Sequence, residues 1–369
     1  MGRTRVLLVG RTRYRFPLTQ PLRRKFDALE RRLDVHVVAT AATHADRAAA
    51  EDGFELVPPR RLLDGARFYL ELPLRVSREI RRFEPEAVVA QSPYEALGVL
   101  LGRVLARRPT RVVVEMHGDP RTATRLYGSQ ARRLLSPIAD AAAATAVRRA
   151  DRVRTVGPFT SSVARELGAE PDATFPAYTD AETFAARPPS ALPEQPCFLF
   201  VGVLERYKNV DGLIEAWRRV ARLEPTAHLR VVGDGSLREG VIALTDEIPF
   251  RTIWHRRLPP DGVATAIDRA SVLVLPSRSE GLPRIALEAL ERGRPVIGAH
   301  TGGIPDVVRD GENGLLVEPE DASSLIAAMV RLAGDRVLLH RLARQAPPSA
   351  GRLVLSPDEY ARRVEALVA

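Results

Sequence analysis

The chain has one cysteine, Cys197, set in the apolar run Cys-Phe-Leu-Phe-Val. A lone thiol builds no disulfide framework, and in such a run it reads as a buried small hydrophobe. No stretch of 18 apolar residues occurs, which excludes a simple membrane-spanning helix. The apolar run behind Met1 is too short for a signal peptide. The expected location is therefore cytoplasmic, or peripheral to the inner face of a membrane. There is no Asp-x-Asp pair and no cluster of His, Cys, Asp and Glu at metal-ligand spacing, so no metal is expected. A net charge of +9 without any aromatic–basic recognition motif gives no case for nucleic acid. Lysine is scarce too: Lys25 and Lys208 are the two in the chain, and every other basic residue is arginine. With abundant alanine, that bias suggests a GC-rich bacterial genome. A lysine kept against it marks a place where an ammonium suits better than a guanidinium.

What is present is a repeated alternation of strand and helix signals along 369 residues, enough chain for two domains. In the first half, Val6–Gly10, Val35–Ala39, Ala87–Ala90 and Arg111–Met116 read as buried strands. Leu22–Leu33, Leu72–Phe83, Ala96–Ala106 and Leu134–Arg149 read as helices. In the second half, strands fit Cys197–Val203, Leu229–Val232, Thr252–Trp254, Val272–Leu275, Val296–Gly298 and Leu315–Val317. Helices there fit Val210–Leu223, Asp261–Arg269, Arg284–Arg292 and Ala322–Leu332. Apolar strands separated by helices imply parallel sheets covered on both faces. The fold class is thus α/β, with two Rossmann-like domains. Four prolines between Phe184 and Pro196 interrupt the pattern and place a linker at 187–196. The expected domains are 1–186 and 197–345, with 346–369 as a tail helix able to pack back on the first domain. Charge divides unevenly: residues 1–190 hold 32 Arg and Lys against 22 Asp and Glu, and the remainder 23 against 24. An N-terminal domain that meets an anionic surface would show this asymmetry.

Four constellations carry chemistry. The densest is Pro276-Ser277-Arg278-Ser279-Glu280-Gly281-Leu282-Pro283-Arg284-Ile285-Ala286-Leu287-Glu288, directly after an expected strand. Ligands of open α/β sheets bind beyond the carboxyl ends of strands. Proline suits the first turn of a helix, whose free amides then face the ligand. Glu280 before that helix and Glu288 two turns along it can each accept hydroxyls of a different part of an extended ligand. The second is Gly202-Val203-Leu204-Glu205-Arg206-Tyr207-Lys208, where Gly202 allows close approach and Arg206 and Lys208 can neutralise a diphosphate. The third is Gly233-Asp234-Gly235, a glycine turn after a strand. The fourth is Thr301-Gly302-Gly303-Ile304-Pro305, expected to open a helix and offer backbone amides. In the first half, Gly10 ends a strand, and His117 follows another in His117-Gly118-Asp119.

With these residues the sequence resembles the family-four retaining glycosyltransferases of GT-B fold, the bacterial group 1 type. The similarity spans nearly the whole chain and is densest from Phe200 to Glu318. It implies two Rossmann-like domains facing a central cleft. Glu280 and Glu288 match a glutamate–seven–glutamate signature, the first implied to contact sugar hydroxyls and the second the ribose. Lys208 matches a phosphate-binding lysine, and His117 an active-site histidine near the donor sugar. Gly302 and Gly303, with the run Gly311 to Val317, match the C-terminal pattern. The chain departs from the family at Val203, where arginine is usual, at Pro283, where glycine is usual, and after Gly10, where arginines replace a glycine-rich turn.

The resemblance implies transfer of a sugar from a nucleoside-diphosphate sugar with retention, no resident cofactor, and leaving-group charge met by Lys208 and Arg206 rather than by a metal. The expected donor set is Gly10, Gly202, Arg206, Lys208, Gly233, Asp234, Gly281 to Ile285 and Glu288. His117, Lys208 and Glu280 are the expected catalytic groups. The acceptor is open: a lipid-linked, polysaccharide or small-molecule hydroxyl. A GT-B nucleotide-sugar epimerase and a non-catalytic nucleotide-sugar-binding protein are the alternatives.

Overall fold

The computed structural model describes residues 2–59, 64–126, 136–179, 184 and 188–369. Leu134 and Leu135 of an expected helix, and Arg187 of the expected linker, lie outside these. The chain divides into two compact units, Met1–Tyr178 with Leu355–Ala369, and Thr179–Val354.

The first unit is a parallel sheet of β1 (Thr4–Tyr14), β2 (Leu33–Ala41), β3 (Phe54–Val57), β4 (Ala87–Ala90), β5 (Arg111–Met116), β6 (Arg152–Thr155) and β7 (Ala173–Thr174). Its order is β3-β2-β1-β4-β5-β6-β7. Helices Gln20–Glu30 and Pro357–Val368 pack together and bury Phe26, Leu29, Tyr360 and Val364 on one face. Helices Asp64–Phe83, Pro93–Ala106 and Ser136–Arg149 bury Leu72, Val76, Val99 and Val147 on the other. Strands covered on both faces read as continuous apolar runs, which is why β4 and β5 were legible.

The second unit repeats the design with β8 (Cys197–Val201), β9 (His228–Val232), β10 (Thr252–His255), β11 (Val272–Leu275), β12 (Val296–Ala299) and β13 (Gly314–Val317), ordered β10-β9-β8-β11-β12-β13. Cys197 is buried in β8, and burial pushes its thiol up from the usual value. Trp217, on helix Val210–Leu223, is fully buried and donates Nε1–H to Thr252 Oγ1 at 2.8 Å.

Several expectations change. β1 does not stop at Gly10 but runs on to Tyr14 through a register shift between Val9 and Arg13. Gly10 is therefore a strand residue, and a Cβ there would lie 1.9 Å from Gln91 Oε1. It makes room for a neighbouring side chain rather than a phosphate turn. No helix follows Gly302-Gly303; turns lead on to β13. The proline-rich stretch at 188–196 lies within the second unit. The buried Arg294 donates to the carbonyls of Ser190 (2.9 Å) and Ala191 (3.1 Å) there, and Arg336 to that of Pro193. The tail expected at 346–369 divides: helix Arg336–Ala350 ends in the second unit, and the last helix, Pro357–Val368, belongs to the first.

The Trp217 anchor is testable. Trp217→Ala should lower unfolding free energy by about 3–5 kcal/mol through the cavity it leaves. Thr252→Val should cost roughly 1–3 kcal/mol by orphaning the indole N–H. Urea unfolding followed by circular dichroism reads both, and an unchanged midpoint for Trp217→Ala would show that the site collapses without loss.

Candidate functional site

In the second unit the strand order reverses between β8 and β11, and loops leaving their carboxyl ends must part in opposite directions. A crevice opens at such a switch point. The Gly202 turn leaves β8 there, and Pro276 to Pro283 leaves β11. Lys208, on the 3-10 turn Arg206–Lys208, reaches across and donates from Nζ to Glu280 Oε1. Ser277 Oγ donates to the same oxygen at 2.8 Å. The lysine and glutamate side chains are 13% and 12% exposed, so neither charge is freely solvated and each compensates the other. Lys208 Nζ also lies 5.3 Å from the centre of the Tyr207 ring.

Backbone contacts that tolerate no side chain hold these loops. Gly233 (φ +156°) packs on the Gly202 carbonyl, which a Cβ would approach to 1.8 Å. Gly303 packs on the Gly281 carbonyl, at 1.6 Å by the same measure, and its N–H donates to Glu280 O at 3.0 Å. Gly302 (φ +58°) adopts a conformation that favours glycine. The Gly303 amide thus braces the Glu280 loop. Arg278 ties the two loops together: its N–H donates to Tyr207 O at 2.7 Å, its guanidinium to Arg206 O and to both oxygens of Asp211 at 3.0 and 3.1 Å. Burial works against the Asp211 carboxylate, but the Arg278 bonds hold its pKa below the usual value. Sequence reading gave Arg278 no role, since a guanidinium that bridges two loops has no local signature.

The helix Arg284–Glu291 begins directly after the buried Pro283. The N–H groups of Arg284 and Ile285 have no helical carbonyl four residues back, whereas those of Ala286 and Leu287 donate to Pro283 O. Leu282 and Ile285 pack on the core, Arg284 is exposed, and Glu288 is half-buried two turns along. Arg206 is exposed on its turn. Asp234 accepts from Arg256 Nε at 2.7 Å and from Gly235 N–H, and the Arg256 bond holds its pKa low. Gly202, Lys208, Gly233, Asp234 and Glu280 to Glu288 are all in the second unit, whereas Gly10 and His117 are in the first.

His117 stands just past β5, and its Nε2 lies 3.2 Å from Glu115 Oε2. The other carboxylate oxygen accepts from Arg154 Nη1, and Arg154 is fully buried on β6. Arg154 Nη2 donates to the carbonyls of Phe175 and Pro176, each at 2.9 Å, and the guanidinium lies 4.0 Å from the centre of the Phe175 ring. Burial alone would raise the Glu115 pKa. Arg154, then the His117 hydrogen bond, outweigh burial and hold it well below the carboxylate range. Neither Glu115 nor Arg154 was legible as functional. In Arg-Val-Arg-Thr the alternating arginines hid a strand, and the carboxylate partner of Arg154 lies 39 residues away.

Two parallel sheets in Rossmann order, with paired charges at the switch point of the second, define a two-domain α/β protein with a crevice suited to a ligand. Comparison with known proteins narrows this. The sequence model "Glycosyl transferases group 1" matches residues 183–348, and "Glycosyl transferase 4-like domain" matches residues 20–176. The chain belongs to the family-four, group 1 glycosyltransferases. It is 32% identical over 186 residues to a D-inositol 3-phosphate glycosyltransferase of Nocardia farcinica, a stretch covering 48% of this chain and 41% of that relative. The match thus spans less than half of the relative's length. Sucrose-phosphate synthase from Thermosynechococcus elongatus superposes with a TM-score of 0.81 at 20% identity, over 99% of this chain and 98% of that one. The Anabaena protein HepE, solved in complex with UDP-glucose, gives 0.72 at 16% identity over 99% and 100%. At these identities the structural likeness is one of fold.

The Glu115–Arg154 pair has a pH signature. The folded-state pKa of Glu115 lies below its unfolded value. Its stabilisation is therefore present above the unfolded carboxylate pKa and is lost as pH falls through the folded one. Glu115→Ala leaves Arg154 buried without its partner and should cost about 3–5 kcal/mol at neutral pH. That deficit should shrink toward pH 3. Chemical denaturation at both pH values measures it, and an equal deficit at both would show that the charge is not the stabilising feature.

Proposed function

We propose that this protein transfers a glycosyl unit from a nucleoside-diphosphate sugar to an acceptor hydroxyl, with retention at the anomeric carbon. The observation that carries the reading is the Lys208–Glu280 pair at the switch point of the second unit. A diphosphate offers Lys208 a stronger anionic partner, and sugar hydroxyls offer donors to Glu280. Donor binding would thus exchange one ion pair for two ligand contacts. Glu288, two turns along the following helix, takes the ribose hydroxyls. In the transfer step the bond between the anomeric carbon and the phosphate oxygen breaks, and the acceptor oxygen bonds to that carbon on the same face. The acceptor proton passes to the departing phosphate. Lys208, with Arg206 and the first turn of helix Arg284–Glu291, meets the growing phosphate charge. A fixed ammonium and helix amides supply the positive charge a divalent ion would otherwise bring, so the reaction proceeds without metal. His117 is the catalytic candidate of the first unit. HepE was solved with UDP-glucose, which makes uridine-diphosphate sugars the first donors to try.

Lys208→Met should reduce kcat more than donor affinity, because the phosphate charge is fully developed only on departure. Glu288→Ala should weaken donor binding by about 1.5–3 kcal/mol. Calorimetric donor binding and turnover with and without EDTA check the set. Unchanged turnover in Lys208→Met, or activity abolished by EDTA and restored by manganese, would overturn the assignment. Conversion of donor to an epimer without acceptor would favour the epimerase alternative.

The location we propose is cytoplasmic, with the first unit resting on an anionic bilayer. Among the described residues no helix is long and apolar enough to cross a membrane. Helices Asp64–Phe83 and Pro93–Ala106 pack closely side by side, Gly98 against Leu72 and Gly102 against Val76. Their outward faces expose Leu70 (79%), Leu74, Leu101 and Val104 (71%). Exposed Arg78, Arg81, Arg82, Arg107 and Arg108 lie toward their C-terminal ends. Apolar side chains beside arginines match acyl chains and anionic headgroups, and each basic group contributes roughly 1 kcal/mol near such a surface. On the opposite side of the sheet, Arg23 pairs with Glu51 and Lys25 lies over the Phe26 and Tyr360 rings, so neither charge is offered to a bilayer. The wild type should sediment with phosphatidylserine vesicles at low salt and be released at high salt. Leu70→Glu/Leu74→Glu should stay in the supernatant. Equal sedimentation of the two would remove this face from the membrane.

A further inference from the structure

Three groups of the first unit form one connected chain, His117, the buried Glu115 and the buried Arg154, of which the transfer reading uses His117 alone. Arg154 is a donor throughout, so the Glu115 oxygen facing it must accept. With Arg154 beside it Glu115 is held ionised, and an ionised carboxylate has no proton to give on either oxygen. The second oxygen, 3.2 Å from His117 Nε2, must therefore accept as well. We propose that Glu115 is a positioning residue that fixes the neutral His117 ring with its proton on Nε2, so that Nδ1 is presented as a hydrogen-bond acceptor to a sugar hydroxyl. This rests on the reading of His117 as a catalytic group.

The surroundings leave little freedom to invert the arrangement. Arg154 cannot swing away: it is fully buried, bonded to two carbonyls, and stacked on Phe175, with Tyr360 of the last helix behind it at 5.7 Å. Glu115 is itself buried on β5, two residues before His117. Among the described residues, nothing hydrogen-bonds to Nδ1. One ring nitrogen is therefore committed to the protein and the other is left for a ligand, and which one carries the proton decides whether the ligand meets an acceptor or a donor.

The geometry makes an unusual demand of a conservative variant. In Glu115→Gln, Arg154 still needs an acceptor and takes the new amide oxygen. The amide NH2 then occupies the position facing His117. That group donates, so Nε2 must become the acceptor and the proton must move to Nδ1. A substitution that changes one atom thus inverts the tautomer with little change of shape. A comparable inversion of histidine tautomer by an acid-to-amide change is known to disable catalysis while leaving geometry intact.

Nitrogen-15 NMR of histidine-labelled full-length protein tests this, with His117 assigned by its disappearance in His117→Ala. The wild type should show the Nε2–H form above the ring's titration, and Glu115→Gln the Nδ1–H form. Donor affinity should change little while kcat falls roughly 10- to 100-fold, the loss of one hydrogen bond made in the transition state, and the melting temperature should fall because the buried Arg154 keeps a hydrogen bond but loses its counter-charge. An Nδ1–H wild type overturns the proposal whatever the activity, and that spectrum decides even if the glutamine variant fails to fold. An inverted tautomer with full activity also overturns it, provided that His117→Ala is inactive. If His117→Ala is fully active too, the catalytic reading of His117 is what fails.

Discussion

The loops of the second unit depend on one exchangeable interaction, the ion pair of Lys208 with Glu280. Each charge comes from a different strand end, β8 and β11, and each is mostly withdrawn from water. Two such groups persist only when each satisfies the other. That requirement fixes the turn carrying Lys208 against the loop carrying Glu280. It also explains the density of glycine around them. Bringing the strand ends this close puts the Gly202 carbonyl against Gly233 and the Gly281 carbonyl against Gly303, with no space for a side chain at either contact. Arg278 then closes the arrangement with bonds to Tyr207, Arg206 and Asp211.

The first unit solves a similar problem in its interior. Arg154 sits at zero exposure in a sheet, where an unpaired guanidinium would be prohibitive. Glu115 supplies the charge, two carbonyls and the Phe175 ring supply the rest. Those carbonyls end β7's extension, close to the boundary of the unit at Tyr178. Tyr360 covers the guanidinium from the last helix, so residues more than 200 positions apart share one buried charge. A polar core of this kind specifies where the final helix must lie, since an apolar substitute would offer no such directional contacts.

Much of this was legible in sequence where a segment's burial and its residues agree. β4, β5, β8 and β11 are runs of apolar residues covered on both faces, and periodicity finds them. The Glu280 to Glu288 segment was legible as a strand-to-helix connection because strand, turn, proline and helix follow one another in that order. Failures cluster where tertiary contacts override local pattern. β6 was missed because Arg152 and Arg154 look like surface residues. Gly10 was misplaced because a bulged strand that continues past a glycine resembles a strand that ends there. Gly302-Gly303 resembled a helix start, yet its glycines answer to Glu280 and Gly281, which lie 22 residues earlier in the chain. The Pro-rich run looked like a linker because no local signal shows that Arg294 and Arg336 will bind its carbonyls.

The two units therefore place their charges under different constraints, and the difference matters for function. The Glu115–Arg154 pair is committed to the core: both groups are buried, and Arg154 Nη1 and Nη2 are bonded to Glu115 and to two carbonyls. Lys208 and Glu280 are joined by one contact at the mouth of a switch point, with Ser277 as the further bond to the carboxylate. A ligand that brings a negative group for the lysine and hydroxyls for the glutamate can replace that contact without leaving either charge unsatisfied. The energetic barrier to binding is then a change of partners rather than the exposure of a bare charge in a half-dry crevice.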